Sequence, residues 1–506
     1  MLHHGAIPER VYLNHISPLW YHQMAGPLVS SRPTLRRLSR ARLLQDTNNK
    51  MQQIDSIGFA VRGALYHCPV KGEFEYHADA LVLVDHQGQI TEVLTPEAPG
   101  FAARCAALSE ANELTELAEG QYLMPGMVDL HVHAPQWPQA GKGLDLPLYD
   151  WLQDYTFPLE AKFADVTFAR EVYPHLVNAL LANGTTSAVY FATVHNPASV
   201  ALAEICLELG QRGYIGKVNM DDPDQCPPYY IESTEQGLAD TEAFIQQVRA
   251  LPGNEQQLVN PVITPRFVPS CTRAMLQGLG ELAQRYHCHV QTHCSESDWA
   301  RDYSQAHYGQ SDVEIYQSMG LLTDRTILAH SIFLSDSDMA AIRDAGAAIA
   351  HCPLSNTYFA NAAMKTREVL DGDLQVGLGT DLAGAPIPSV FHTCLDAVNH
   401  SRAREDGTNT HLPAQQRGEA GSRVSFLEAY WMATVGGGLA IDAKVGLFAP
   451  GYAFDALVVD ANAPDSDLYL PEGMDTPRDR LEKLISLTRR QNIRTVWVQG
   501  RKVIQK

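Results

Sequence analysis

"MPGMVDLHVHAPQWPQAGKG", residues 124–143, sets His131 and His133 one residue apart at the end of an apolar, β-branched run. Alternate residues of a strand share a face, so both imidazoles point the same way. With 20 histidines in 506 residues, one such pair is expected by chance, and a second occurs, His287 and His289 in "YHCHV". Whether the first pair marks a site depends on what the chain places at the ends of its other strands.

Seven further runs of the same character follow: "TTSAVYFAT" (185–193), "GYIGKVNMD" (213–221), "NPVITPRFVPS" (260–270), "HCHVQTHCSE" (287–296), "RTILAHSIF" (325–333), "GAAIAHCPLS" (346–355) and "LQVGLGTDLA" (374–383). Between them lie segments apolar at helical spacing, such as "TFAREVYPHLVNALLANG" (167–184), closed by Gly184. Eight strands, each too apolar for one wet face and alternating with helices, predict an α/β fold with a (β/α)8 TIM-type barrel over residues 125–440.

The chain ends read differently. "IGFAVRGALYH" (57–67), "ALVLVDHQGQITEVL" (80–94), "GLFAPGYAFDALVVDA" (446–461) and "NIRTVWVQGRKVIQ" (492–505) are strand-like, and residues 102–118 read as a helix. Residues 51–124 and 441–506 are therefore expected to pair into one small β-sandwich domain.

The net charge of −20 argues against a nucleic-acid partner. No apolar run approaches the length of a membrane-spanning helix, so no membrane partner is expected. Nine cysteines without a Cys-x-x-Cys pair do not form a disulfide framework, and a reducing, cytoplasmic location is expected. Residues 1–50 stand apart, with seven Lys/Arg against Glu9 and Asp46. They read as a basic extension upstream of a true start at Met51, or as a native or targeting segment. Neither reading gives them a part in chemistry.

In a barrel of this kind, reacting groups sit where strands end. The first strand ends in His131 and His133, the fifth in His293 followed by Glu296, the sixth in His330, and the eighth at Asp381. Each alone admits a plainer explanation, a hydrogen-bonded core histidine or a helix N-cap. Four strand ends in agreement do not. Imidazoles with a carboxylate suit Zn²⁺ or Fe²⁺, and an open coordination position makes such a centre catalytic. The same test sets aside His287 and His289, which precede their strand, and leaves His195 and His351 as candidates only for substrate or supporting contacts. Cys294 and Cys352 read as packing residues.

"PGMVDLHVH", the later single histidines and "GTD" resemble the amidohydrolase superfamily over residues 57–506. The resemblance implies hydrolysis of a C–N bond by metal-activated water. It implies His131, His133, His293 and Asp381 as ligands, with His330 at the metal, and Asp381, His330 and Glu296 in proton transfer. Two-metal members carry a bridging Lys or Glu at the end of the fourth strand. Here that place reads "VITPRFVPS", and Lys217 lies on the third strand, so one metal is expected. "HVHAPQW", "LDLPLYDWLQDYTFPLE", "VITPRFVPSC" and "GLGTDLAGA" are similar to the guanine deaminase branch. That likeness implies guanine as substrate, Gln136, Arg266, Phe267 and His330 as its contacts, and a homodimer. The alternative is a deaminase or chlorohydrolase of another heterocycle (8-oxoguanine, cytosine or a triazine) using the same metal residues.

Overall fold

A computed structural model describes residues 57–360 and 362–506, and the expectations for residues 1–50 fall outside them. The first five strands are β1 (Ile57–His67), β2 (Glu75–Asp85), β3 (Ile90–Leu94), β4 (Leu114–Glu116) and β5 (Gln121–Pro125). The next eight are β6 (Met127–His133), β7 (Thr185–Phe191), β8 (Arg212–Asn219), β9 (Val259–Pro265), β10 (His289–Cys294), β11 (Thr326–His330), β12 (Ala348–His351) and β13 (Gln375–Leu378). Three more close the chain: β14 (Ala456–Asp460), β15 (Ile493–Val498) and β16 (Arg501–Gln505).

The first and last groups share one sheet in the order β16-β15-β14-β5-β1-β2-β3, with β4 against β1. The junction is the antiparallel pair β5–β14, in register Ala456↔Pro125 to Asp460↔Gln121. Val61, Leu65, Val82 and Leu123 from one chain end pack with Phe454, Val458 and Trp497 from the other. The helix read over residues 102–118 is shorter. It spans Phe101–Glu110, and Asn112, in the left-handed region at φ 59°, turns the chain into β4. Its apolar spacing runs on into β4 without a break, which is why the sequence alone did not end it.

Strands β6 to β13 form a parallel sheet in sequence order. Every residue of β6, β7 and β8 is buried, because helices cover the outer face and side chains fill the inner one. One crossover helix, Val166–Ala182, starts where the Asp165 carboxylate accepts from the Thr167 amide, and Gly184 follows its end at φ 90°. Closure joins the chain beyond β13 to β6. The Asp381 amide donates to the His131 carbonyl (2.8 Å) and the His133 amide to the Leu382 carbonyl (2.7 Å). The barrel's seam therefore runs through the strand-end histidines themselves. Gly379 permits that approach, since a Cβ there would lie 2.7 Å from the His131 Cβ.

Candidate active site

The strand-end residues named from sequence converge at one end of the barrel. His131 and His133 Nε2 lie 3.2 and 3.4 Å from Asp381 Oδ1, and His133 Nε2 lies 3.0 Å from His293 Nε2. His330 Nε2 is 3.5 Å from Glu296 Oε1 and 4.0 Å from Asp381 Oδ2. All six side chains are buried. Burial, reinforced by neighbouring imidazoles, holds His131, His133 and His293 well below the usual imidazole range, so they are neutral and carry free lone pairs. Burial also raises Asp381, and burial with the Asp381 charge beside it pushes Glu296 up to about 8.

Neighbouring groups fix which nitrogen each ring offers. His293 Nδ1 donates to the Arg266 carbonyl (2.6 Å) and His330 Nδ1 to Asn356 Oδ1 (2.9 Å), which turns both Nε2 atoms toward the cluster. Asp129, ahead of a bulge in β6 that separates it from His131 and His133, accepts from the Thr380 amide (2.9 Å) and hydroxyl (2.7 Å), tying β6 to the chain before Asp381. Burial lifts its carboxyl to about 7. The backbone is held in sparsely populated territory here: Ser295, His330, Ser331 and Asp381 all take positive φ, between 48° and 69°.

The donor set fits a metal. His131 Nε2 and His330 Nε2 are buried without any hydrogen-bond partner, a costly condition that a cation would relieve. Three overlapping groups have ligand atoms close enough to share an ion: His131 with His293 and His330, His131 with His133 and Asp381, and Glu296 with His330 and Asp381.

A small cavity beside this cluster is lined by Gln136, Leu148, Trp151, Arg266, Phe267 and Phe359 together with His133, His293, Glu296 and Asp381. Gln136 and Arg266, expected as substrate contacts, both line this cavity and are both anchored from behind. Arg266 makes a two-pronged ion pair with buried Glu160 (Nη1–Oε2 2.7 Å, Nη2–Oε1 3.2 Å), and Gln136 Nε2 donates to Glu160 Oε1 (2.9 Å). Phe267 sets its ring edge-on to Trp299, 5.7 Å between centroids.

The other histidines, Lys217 and the cysteines weighed in the sequence lie outside this cluster. His287 and His289 line a cleft of about 820 Å³ with Arg212, Tyr214 and Arg325, at the opposite end of the strands. His195 faces Tyr230 and His351 faces Thr366, and neither lines the cavity. Lys217 is fully buried but pairs with Glu232, away from the cluster. All nine cysteines are free thiols in the interior.

Residues 122–503 match the model of the Amidohydrolase family. The chain belongs to that family. Guanine deaminase of Dictyostelium discoideum is 34% identical to this amidohydrolase over 465 residues, 90% of this chain and 100% of that protein. Guanine deaminase of Homo sapiens is 34% identical over 462 residues, 89% and 98% of the two chains. Among solved structures, guanine deaminase from C. acetobutylicum with bound guanine in the active site superposes with a TM-score of 0.78 at 32% identity, covering 88% of this amidohydrolase and 99% of that chain. The barrel and its flanking β domain are thus those of metal-dependent hydrolases acting on C–N bonds.

Three supporting residues escaped the sequence reading. Asp129 stands two residues before His131, but a bulge between Asp129 and Val132 breaks the strand alternation, so period-2 reading does not place it. Asn356 closes the "HCPLSN" stretch and Glu160 closes "YTFPLE", but no spacing rule links either to His330 or Arg266.

Proposed function

We propose that this protein converts guanine and water to xanthine and ammonia. The observation that carries the reading is one cavity that joins a buried His/Asp cluster to Glu296 and a donor–acceptor pair, Arg266 and Gln136. Relatives named guanine deaminase, aligned over nearly their whole length, support it.

A divalent ion held by His131, His133, His293 and Asp381, with His330 beside it, supplies a water of lowered pKa at neutral pH; the donor set suits Zn²⁺ or Fe²⁺. The protein's own groups do the rest. Asp381 accepts the proton that the attacking water gives up. His330, its ring fixed by Asn356, hydrogen-bonds the oxygen that becomes joined to C2 of the purine. Glu296, held protonated near neutrality by burial, delivers a proton to ring N3. Ionised by that step, Glu296 takes up the proton of the new C2 hydroxyl and passes it to the departing amine as the C2–N bond breaks and C2=O forms, so that ammonia leaves rather than amide ion. The proton held by Asp381 then returns to Glu296 and restores the site. Phe267 packs on the ring, while Arg266 donates to O6 and Gln136 accepts from N1–H.

The same resemblance supports one Zn²⁺ per subunit and a homodimer, and the cysteine pattern, with no Cys-x-x-Cys pair, supports a cytoplasmic location. Among the described residues no helix is long and apolar enough to cross a membrane. The reading is tested by assaying metal-replete protein on guanine, 8-oxoguanine, adenine, cytosine and a chlorotriazine. The highest kcat/KM is expected on guanine; a higher value on another ring reassigns the substrate.

A further inference from the structure

The polarity of the purine-facing edge is set by a residue that stands behind it. Glu160 is fully buried and receives both prongs of Arg266 and the amide nitrogen of Gln136. An ionised carboxylate only accepts, so the Gln136 amide can meet it only through its NH2 group. Gln136 Oε1 is thereby turned the other way, where it is buried and has no partner. Arg266 spends one hydrogen of each Nη on Glu160, and its Nε and second Nη2 hydrogen have no acceptor among the described residues. Gln136 and Arg266 line the cavity together with Glu296 and Asp381.

The cavity therefore offers an acceptor beside a donor. Guanine brings the complement, an N1–H donor next to the O6 acceptor. A 2-aminopurine with an unprotonated N1 and an amino group at C6 brings the reverse, acceptor against acceptor and donor against donor. Both rings carry the same C2 amino group, so the leaving group does not tell them apart.

We infer that Glu160 is a positioning residue that sets substrate specificity, holding Gln136 carbonyl-first and Arg266 as donor so that only a purine with an N1–H/C6=O edge is accepted. This rests on the guanine reading and deepens it. Glu160 touches no reacting atom. Its effect is to deny Gln136 the amide flip that would read the opposite edge.

Glu160→Gln removes that denial, because the new amide can donate to Gln136 Oε1 and let the Gln136 NH2 turn to the cavity. The test measures kcat/KM on guanine and on 2,6-diaminopurine, with metal content. It also measures inhibition constants for hypoxanthine and adenine, which carry the two edges without a C2 amino group. The wild-type preference for guanine is expected to narrow at least about tenfold in Glu160→Gln, the worth of one hydrogen bond gained in place of one mismatched. The hypoxanthine-over-adenine preference is expected to narrow with it, at unchanged metal content. Equal losses on both substrates, with the inhibitor preference unmoved, would overturn the proposal and leave Glu160 a structural anchor.

Gln136→Met, which keeps the Glu160–Arg266 pair, decides the matter even if Glu160→Gln does not fold. Removing the acceptor should also narrow both ratios, and unchanged ratios contradict the inference. A wild type that turns over neither purine but prefers hypoxanthine sinks the guanine reading and leaves the polarity standing. A wild type that prefers neither inhibitor overturns the polarity.

Discussion

His293 Nδ1 lies 2.6 Å from the carbonyl oxygen of Arg266, so one residue serves both halves of the site. Its backbone orients an imidazole of the metal cluster, and its guanidinium faces the cavity. The two roles separate by mutation, because a side-chain change leaves the carbonyl in place. Arg266→Met should therefore retain metal while losing about 10- to 150-fold in kcat/KM on guanine, the worth of a charge-assisted hydrogen bond. The ion pair adds a second effect that the sequence could not show. Glu160 is left buried and unpaired, which costs about 3–5 kcal/mol. Thermal unfolding should show a clear loss of stability alongside the kinetic one. Full kcat/KM would remove Arg266 from substrate recognition.

Glu296→Gln should keep the metal and lose at least about 10²-fold in turnover, the lower range for deleting a general acid–base group. The amide preserves shape but cannot carry a proton between ring and leaving amine. Metal analysis beside steady-state rates checks it. Activity within a few-fold of wild type would take Glu296 out of the chemistry.

Asn356→Ala removes the partner of His330 Nδ1, 2.9 Å away, and frees the ring to rotate or change tautomer. Loss of such an orienting bond typically costs about 10- to 100-fold in metal affinity or activity. Competition with a chelator and the rate on guanine together should register that loss. No change in either would mean that packing alone fixes His330.

A chain beginning at Met51 should keep wild-type kcat on guanine, since every residue given a role lies between Asp129 and Asp381. A folded truncation with lost activity would show that the extension contributes to the site.

The barrel was legible because its signal is periodic and repeated: eight apolar runs alternating with helical segments, with histidines or an aspartate at the ends of four. "MVDLHVH" matches β6 residue for residue. The metal-side groups were legible for the same reason, since strand ends in a parallel barrel are neighbours whatever their separation in sequence. What could not be read is contact between a short helical segment of a connection and a strand end. Glu160 reaches Arg266 across 106 residues and Asn356 reaches His330 across 26, through geometry that no local pattern encodes. Arg266 showed its residue type and its place, but its partner Glu160 ends a short helix, Phe157–Glu160, far away in sequence. The end of the helix at Glu110 failed for a different reason: apolar spacing continues through Leu114 and Leu117, and only the left-handed turn at Asn112 separates helix from strand.

Hydrolytic removal of the C2 amino group of guanine is the central claim, and oxygen labelling tests it most directly. Metal-replete protein is given guanine as sole substrate in H2¹⁸O, and the product is analysed by mass spectrometry. Xanthine carrying a single ¹⁸O at C2 is the expected result, with ammonia released in equal amount. Guanine recovered unchanged from metal-loaded, folded protein, or a product without the label at C2, would contradict it.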